Sequence, residues 1–278
     1  MKDYLEHSFS TDDFELVSVI DELPLWSAPF GLKLLDTIEL KTNINALDIG
    51  CGLGFPLIEV AQRLGNSSKV CGIDPWERAI ERINLKIKTF DLKNVAAIKC
   101  VAERLPFDSN LFDLIISNND INNVEDIKLT LSECYRVSKP SAQFTLTLNL
   151  EGSMIEFYDV FKKILLMNGL DDEVVRMKDQ IYSKRKPLDE TKLSLEEAGF
   201  NIIGLQEDSF QLRFLDGTTM FNHYVIKYWF LDGWKSVLNS NDIENIFEQV
   251  EERLNEIARK AGEIRLTIPY VTIDCRRR

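Results

Sequence analysis

The sequence predicts an α/β protein: a Rossmann-like, mostly parallel seven-stranded sheet with helices on both faces, plus helical insertions forming a cap. Three observations predict it. Short apolar runs alternate with amphipathic helical segments between residues 45 and 150, the order of repeated β-α-β units. The run at 111–117 holds Leu114-Ile115-Ile116, the apolar density of a strand buried on both faces. The first strand empties into Gly50-Cys51-Gly52-Leu53-Gly54, a turn in which three glycines let the backbone bend tightly and a ligand approach closely.

Residues 1–40 read as an N-terminal helical segment. Phe14, Val17 and Ile20 to Leu23 fall on helical spacing, the run 23–31 with Pro24 and Pro29 interrupts it, and Leu32, Leu34, Leu35 and Ile38 resume it. The α/β core occupies 41–150. Strands are expected at 45–49, 69–73, 95–101, 111–117 and 143–150, and helices at 56–64, 77–88 and 124–137. Pro56 suits a first helical turn, where its missing N–H is no loss, and Gly65 suits the position just past the helix end. Beyond 150 the regularity breaks. A helical insertion at 151–186 precedes a return to the core at 187–208, with a helix at 188–198 ended by Gly199 and a sixth strand at 201–206. A helical cap insertion at 209–262 carries two or three helices, the last patterned by Ile246, Phe247, Val250 and Leu254. The final core strand and tail fill 263–278, with Pro269 at a bulge or edge.

The charge balance narrows the function classes. Among 278 residues, 45 acidic side chains against 33 basic ones give a formal net charge of −12. That field repels phosphate backbones and argues against a nucleic-acid partner. Arg276-Arg277-Arg278 is the one tight basic cluster and is expected to be a frayed, solvated tail. The longest apolar stretches are strand-sized, so no membrane span is expected. The polar, acidic start is not that of a signal peptide, and a cytoplasmic location is the expectation. The 5 cysteines, Cys51, Cys71, Cys100, Cys134 and Cys275, form no Cys-x-x-Cys pair and there are 2 histidines, so no metal site is expected. The oligomeric state is left open.

The glycine turn discriminates between cofactors. A helix N-terminus behind such a turn presents free N–H groups and suits an anionic group, phosphate or carboxylate. A nicotinamide-binding fingerprint requires Gly-x-Gly-x-x-Gly or Ala. Counting from Gly50 the sixth position is Phe55, and from Gly52 it is Leu57, so neither register fits. Asp48, two residues before the first glycine, disfavours a pyrophosphate nearby. A ligand that combines an ammonium and a sulfonium with a carboxylate tolerates that acid better, and S-adenosyl-L-methionine carries all three groups.

Residues 46–55 resemble motif I of the class I S-adenosylmethionine-dependent methyltransferases. The segments Ala102-Glu103-Arg104-Leu105-Pro106-Phe107, Leu111-Phe112-Asp113-Leu114-Ile115-Ile116-Ser117-Asn118 and Glu133-Cys134-Tyr135-Arg136-Val137-Ser138-Lys139-Pro140 resemble the ubiquinone/menaquinone C-methyltransferase-like enzymes of the methyltransferase type 11 group. The resemblance covers about 44–150. It implies a methyltransferase acting on a small-molecule acceptor, with Asp48, Gly50, Cys51, Gly52 and Gly54 at the cofactor. It also implies that Asp74, at the end of the second strand before Pro75 and Trp76, accepts from the ribose hydroxyls. Asp74 as a helix cap and Trp76 as plain core are the competing readings. One departure stands out. Where the family often has an acid before the alanine that ends the third strand, this chain has Val101, which accepts nothing. The amide of Ala102 or the side chain of Glu103 then recognises adenine, or Glu103 is a surface acid.

Methyl transfer needs a catalytic base only where the nucleophile is protonated, so the sequence names no catalytic residue. Asn118, Asn119 and Asp120 follow the fourth strand, at the carboxyl edge where open α/β sheets bind ligands. They contact the methionine end or the acceptor, or they are turn residues, with Asn122 or Asn123 capping the next helix. His223 is a candidate base and also a candidate structural histidine, and His7 is a weaker candidate. Trp26, with the aromatics of the helical extras, is expected in an acceptor pocket closed by the cap. Three other functions compete: a nicotinamide-dependent oxidoreductase, a non-catalytic S-adenosylmethionine-binding protein, and a protein methyltransferase.

Overall fold

The structure, a computed structural model, describes residues 2–6, 10–21 and 25–278. His7, Leu23 and Pro24 lie outside the described residues. In chain order the elements are α1 (Asp3–Glu6), α2 (Phe14–Asp21), α3 (Ala28–Thr37), β1 (Asn45–Ile49), α4 (Leu57–Leu64), β2 (Lys69–Asp74), α5 (Glu77–Thr89), β3 (Val95–Lys99), β4 (Phe112–Asn118), α6 (Ile127–Val137) and β5 (Ser138–Asn149). Then come α7 (Ile155–Met167), α8 (Asp171–Lys184), α9 (Leu188–Glu197), β6 (Phe200–Phe214), α10 (Gly217–Asn222), α11 (Tyr224–Trp229), α12 (Leu231–Lys235), α13 (Ile243–Ala261) and β7 (Ile264–Arg277).

The chain divides into two compact units. One comprises Ser10–Asn149, Pro187–Glu207 and Tyr270–Arg278. The other, mainly helical, takes residues 2–6, 150–186 and 208–269.

The sheet has seven strands in the order β3-β2-β1-β4-β5-β7-β6. β1 pairs in parallel with β2 and β4, β2 with β3, and β4 with β5, whereas β7 runs antiparallel to β5. The predicted sheet is therefore present. Chain order reverses between β1 and β4, which makes their carboxyl ends a topological switch point. Period-two alternation puts Ala46, Leu114 and Ile116 into one apolar layer with Leu34, Leu35 and Ile38 of α3, Val60 and Ala61 of α4, and Ile80 and Ile83 of α5. Each such large side chain removed from water contributes roughly 1.5–3 kcal/mol. Phe144 of β5 and Phe200 of β6 pack together, their ring centroids 5.0 Å apart, and Tyr135 of α6 meets Phe200 edge-on.

Several local expectations need correction. α3 begins at Ala28, inside the stretch expected to interrupt the helix, because Pro29 falls in its first turn, where no N–H is required. β6 was expected at 201–206 and runs on to Phe214, so residues 209–214 are strand rather than helix. The segment that follows holds α10 to α13, more helices than expected. The last residues are not frayed. β7 reaches Arg277, whose guanidinium lies 4.2 Å from the Tyr135 ring centroid, and the amide of Arg278 donates to the carbonyl of Gly199 at 3.2 Å. An arginine stem packed on an aromatic face is held by stacking that a charge count does not register.

Within the helical unit, aromatic packing forms the core. Phe157 and Trp234 stack with centroids 3.7 Å apart, and Phe221 lies between Tyr4 and Phe247. The Tyr4 hydroxyl donates to Glu251 of α13 at 2.9 Å. Gly217 opens α10 against α13, where a side-chain carbon would lie 2.7 Å from Leu254 Cβ.

Candidate cofactor site

The glycine turn is pinned to the end of β2. The amides of Gly50 and Cys51 both donate to the Ile73 carbonyl, at 2.9 and 3.0 Å, and the Gly54 amide closes the turn on the Cys51 carbonyl at 2.8 Å. Gly72 allows this approach, since a side-chain carbon there would meet Leu57 at 2.6 Å and Cys51 Sγ at 2.8 Å. Gly50, Gly52 and Gly54 have φ of 72°, 48° and 103°, the left-handed region that glycine reaches at little cost. Nothing lies within 4 Å of where a Gly52 side chain would stand, so that face is open to a ligand.

Three carboxyl groups converge on this turn. Asp48, in β1, is fully buried and neither of its oxygens accepts a hydrogen bond of good geometry. Burial pushes its carboxyl well above the ordinary range, the charges of Asp120 and Asp74 add to that, and the Leu57 amide offsets a part. Asp120 lies against Gly50 on the β4 side. Asp74 closes the third side. Its Oδ2 accepts from the Gly52 amide at 2.9 Å and its Oδ1 from the Trp76 amide at 2.8 Å. Burial raises the Asp74 carboxyl as well, against the lowering effect of those two amides. The residue at the N-cap of α5 is Trp76 rather than Asp74, so the carboxylate of Asp74 is spent on the turn and not on the first turn of the helix.

β4 delivers its residues to the same edge. The Ser117 hydroxyl donates to the Ile49 carbonyl at 3.1 Å. Asn118 is held at both ends, its Nδ2 donating to Ser27 O at 3.2 Å and its Oδ1 accepting from Thr147 Oγ1 at 3.0 Å. Asn119 has φ of 56° and accepts from the Asn149 amide at 2.8 Å. Neither Asn122 nor Asn123 caps the next helix. Asp126 does, accepting from the Leu129 amide at 3.0 Å, because α6 starts three residues later than its apolar pattern suggests.

The remaining sequence candidates lie as follows. Pro75 is exposed and Trp76 half-buried, with its indole N–H donating to the Thr11 carbonyl at 2.7 Å. Ala102 is buried after β3, and Glu103 Oε1 accepts from the amides of Glu125 and Asp126, at 2.8 and 3.3 Å. Trp26 meets Phe30 edge-on at 5.4 Å. His223 belongs to the helical unit, where its Nδ1 caps α11 by accepting from the Val225 amide at 3.3 Å, and burial lowers its pKa.

Sequence reasoning missed Lys86 and Asp21. Lys86 Nζ donates to the Leu53 carbonyl inside the turn at 2.6 Å and also pairs with Asp21 of α2, which accepts from Arg82 Nε at 2.6 Å. The Asp21 side chain is only 5% exposed. No local spacing links residue 21 to residues 82 and 86. The one available signal was two cations a helical turn apart on α5.

Chemically, three acids around an open glycine turn favour a cationic ligand and oppose a pyrophosphate. That arrangement fits S-adenosylmethionine.

Comparison with known proteins agrees. Residues 40–164 match the family model described as methyltransferase domain. Demethylmenaquinone methyltransferase from Listeria welshimeri is 32% identical over 141 residues, covering 49% of this chain and 60% of the relative. The chain thus spans about three-fifths of that relative's length. The enzyme of the same name from Lactococcus lactis is 29% identical over 171 residues, covering 59% of this chain and 66% of the relative. Among solved structures, a putative methyltransferase from Bacillus halodurans aligns with a TM-score of 0.57 at 20% identity, over 88% of this chain and 97% of that one. Geranyl diphosphate C-methyltransferase from Streptomyces coelicolor, solved with S-adenosyl-L-homocysteine, aligns with a TM-score of 0.57 at 15% identity, over 100% of this chain and 88% of that one. At these identities the structural likeness speaks to the fold.

Proposed function

We propose that the protein is a class I S-adenosylmethionine-dependent methyltransferase that moves a methyl group to a small-molecule acceptor, a reading supported by the match of residues 40–164 to a methyltransferase domain. The observation that carries the proposal is the convergence of Asp48, Asp74 and Asp120 on the glycine turn. When bound there, S-adenosylmethionine supplies an electrophilic methyl on a sulfonium, and in-line displacement needs little from the protein beyond position and a dry site. The chain's own residues bind and orient. Asp120 sets a negative field for the ammonium and sulfonium, and Asp48, whose raised pKa a cationic ligand would lower, adds to it once the ligand is bound. Asp74 holds the Gly52 amide and presents carboxylate lone pairs for the ribose hydroxyls. The amide of Ala102, or Glu103, meets the adenine, and Trp76 flanks it.

The acceptor is read as small and partly apolar, and the reaction as cytoplasmic. Among the described residues no helix is long and apolar enough to cross a membrane. Demethylmenaquinone, the acceptor in the names of the Listeria and Lactococcus relatives, is the first to try. The oxidoreductase alternative is disfavoured by the failed glycine register and by the acids around the turn. The test is incubation with methyl-labelled cofactor and a metabolite extract. Label in a new small molecule supports transfer. Tight cofactor uptake without labelled product, from extracts or from demethylmenaquinone, leaves a non-catalytic binding protein.

A further inference from the structure

Arg185, the residue that ends α8 in the helical unit, is only 4% exposed. Its guanidinium is a cation with five N–H donors and no acceptor. Among the described residues no carboxylate forms an ion pair with it; its side-chain partners are the Tyr158 hydroxyl and the Tyr158 ring. Nη1 donates to that hydroxyl at 3.3 Å, and Cζ lies 5.5 Å from the ring centroid. The Tyr158 hydroxyl is itself fully engaged, accepting from Trp234 Nε1 at 3.1 Å and donating to Gln180 Oε1 at 3.1 Å. Nε is buried with no acceptor. The carboxyl end of α8 offsets part of the charge, but a buried cation without an acid is costly to keep.

With Nη1 taken by Tyr158, the edge left over is the Nε–Nη2 side of the fork. That edge matches the two oxygens of a carboxylate and donates two parallel hydrogen bonds. Among the described residues Tyr158 carries the side-chain contacts of the guanidinium, and its hydroxyl is in turn tied to Gln180 and Trp234, so Tyr158 fixes the fork in place. The geometry points to Arg185 as the anchor of a carboxylate carried by a small molecule. This binding step does not rest on the proposed function.

The test is calorimetric titration of the full chain with benzoate and 2-naphthoate, against benzamide and 2-naphthamide, which keep the shape and lose the charge. The carboxylates are expected to bind at least tenfold more tightly than the amides. Arg185→Met is expected to abolish that preference while leaving the melting temperature unchanged or higher, because it removes an uncompensated buried charge. Arg185→Lys keeps the charge without the fork and is expected to bind the carboxylates several-fold more weakly than the unaltered chain. Equal binding of acids and amides, failure of both acids to bind folded protein, or full acid binding by Arg185→Met each overturn the inference. S-adenosyl-L-homocysteine is titrated alongside. Its uptake with no carboxylate binding defeats this inference alone, and its failure to bind defeats the proposed function instead.

Discussion

The carboxylate of Asp120 lies against the α-carbon of Gly50, so closely that a side-chain carbon there would stand 1.9 Å from Oδ2. Gly50 also has φ of 72°. Gly50→Ala is therefore expected to destabilise the protein by about 1–3 kcal/mol and to weaken S-adenosyl-L-homocysteine binding more than tenfold. Adding Asp120→Gly removes the clash, which Asp120→Ala would not because Cβ of Asp120 would itself lie 2.4 Å away, and leaves the backbone cost, so the double variant should regain part of the lost stability. Thermal melts of the two variants decide this, and a double variant no more stable than the single one contradicts it.

Asp48 makes stability depend on pH. Its folded pKa lies above the unfolded value of about 3.9, so folding favours the protonated form. That contribution is complete below the unfolded value and is lost as pH rises through the raised folded one. Asp74 is shifted in the same direction. The ligand-free protein should therefore lose stability from about pH 4 upward across this window. Asp48→Asn should flatten the loss, stabilise the free protein at pH 7 by about 1–3 kcal/mol, and weaken cofactor binding about tenfold or more. Melts across pH with and without S-adenosyl-L-homocysteine check both halves; an Asn variant as pH-sensitive as the parent contradicts the assignment.

Asp74 serves the turn through both oxygens. Asp74→Ala strands the amides of Gly52 and Trp76, each at a cost of roughly 1–3 kcal/mol if no water replaces the carboxylate, and should weaken cofactor binding 10- to 100-fold. Asp74→Asn keeps one acceptor and should recover part of the loss. Equal affinity in all three proteins speaks against a role at the cofactor.

The Asp21–Lys86 pair should couple α2 to the glycine turn. Asp21→Ala leaves Arg82 and Lys86 facing each other and should cost about 2–3 kcal/mol, less than a fully buried pair because both cations are partly exposed. Lys86→Met also loses the Leu53 carbonyl and should weaken cofactor binding several-fold, whereas Arg82→Met should not. Comparable binding by the Lys86 and Arg82 variants contradicts the coupling.

The sheet was legible because its signals are local. Leu114-Ile115-Ile116 and Gly50-Cys51-Gly52-Leu53-Gly54 carry their own periodicity and turn chemistry, and the failed register at Phe55 separated two cofactor classes without a structure. The strand ends were less legible. β6 continues to Phe214 through Gln206-Glu207-Asp208-Ser209, a polar stretch in which sheet pairing overrides weak strand propensity. What joins distant residues left no trace in spacing, as with Asp21 to Lys86 and Arg277 to Tyr135. Glu103 and His223 show the converse. Their chemistry is visible in the sequence, while the amides they accept from in the folded chain are not.

The central claim is that the turn after β1 holds a sulfonium nucleoside. Calorimetric titration of the full chain with S-adenosyl-L-methionine, S-adenosyl-L-homocysteine and NAD tests it most directly. The account predicts saturable uptake of the first two at one site per chain and none of NAD. Clean binding of NAD by folded protein that ignores both nucleosides contradicts it.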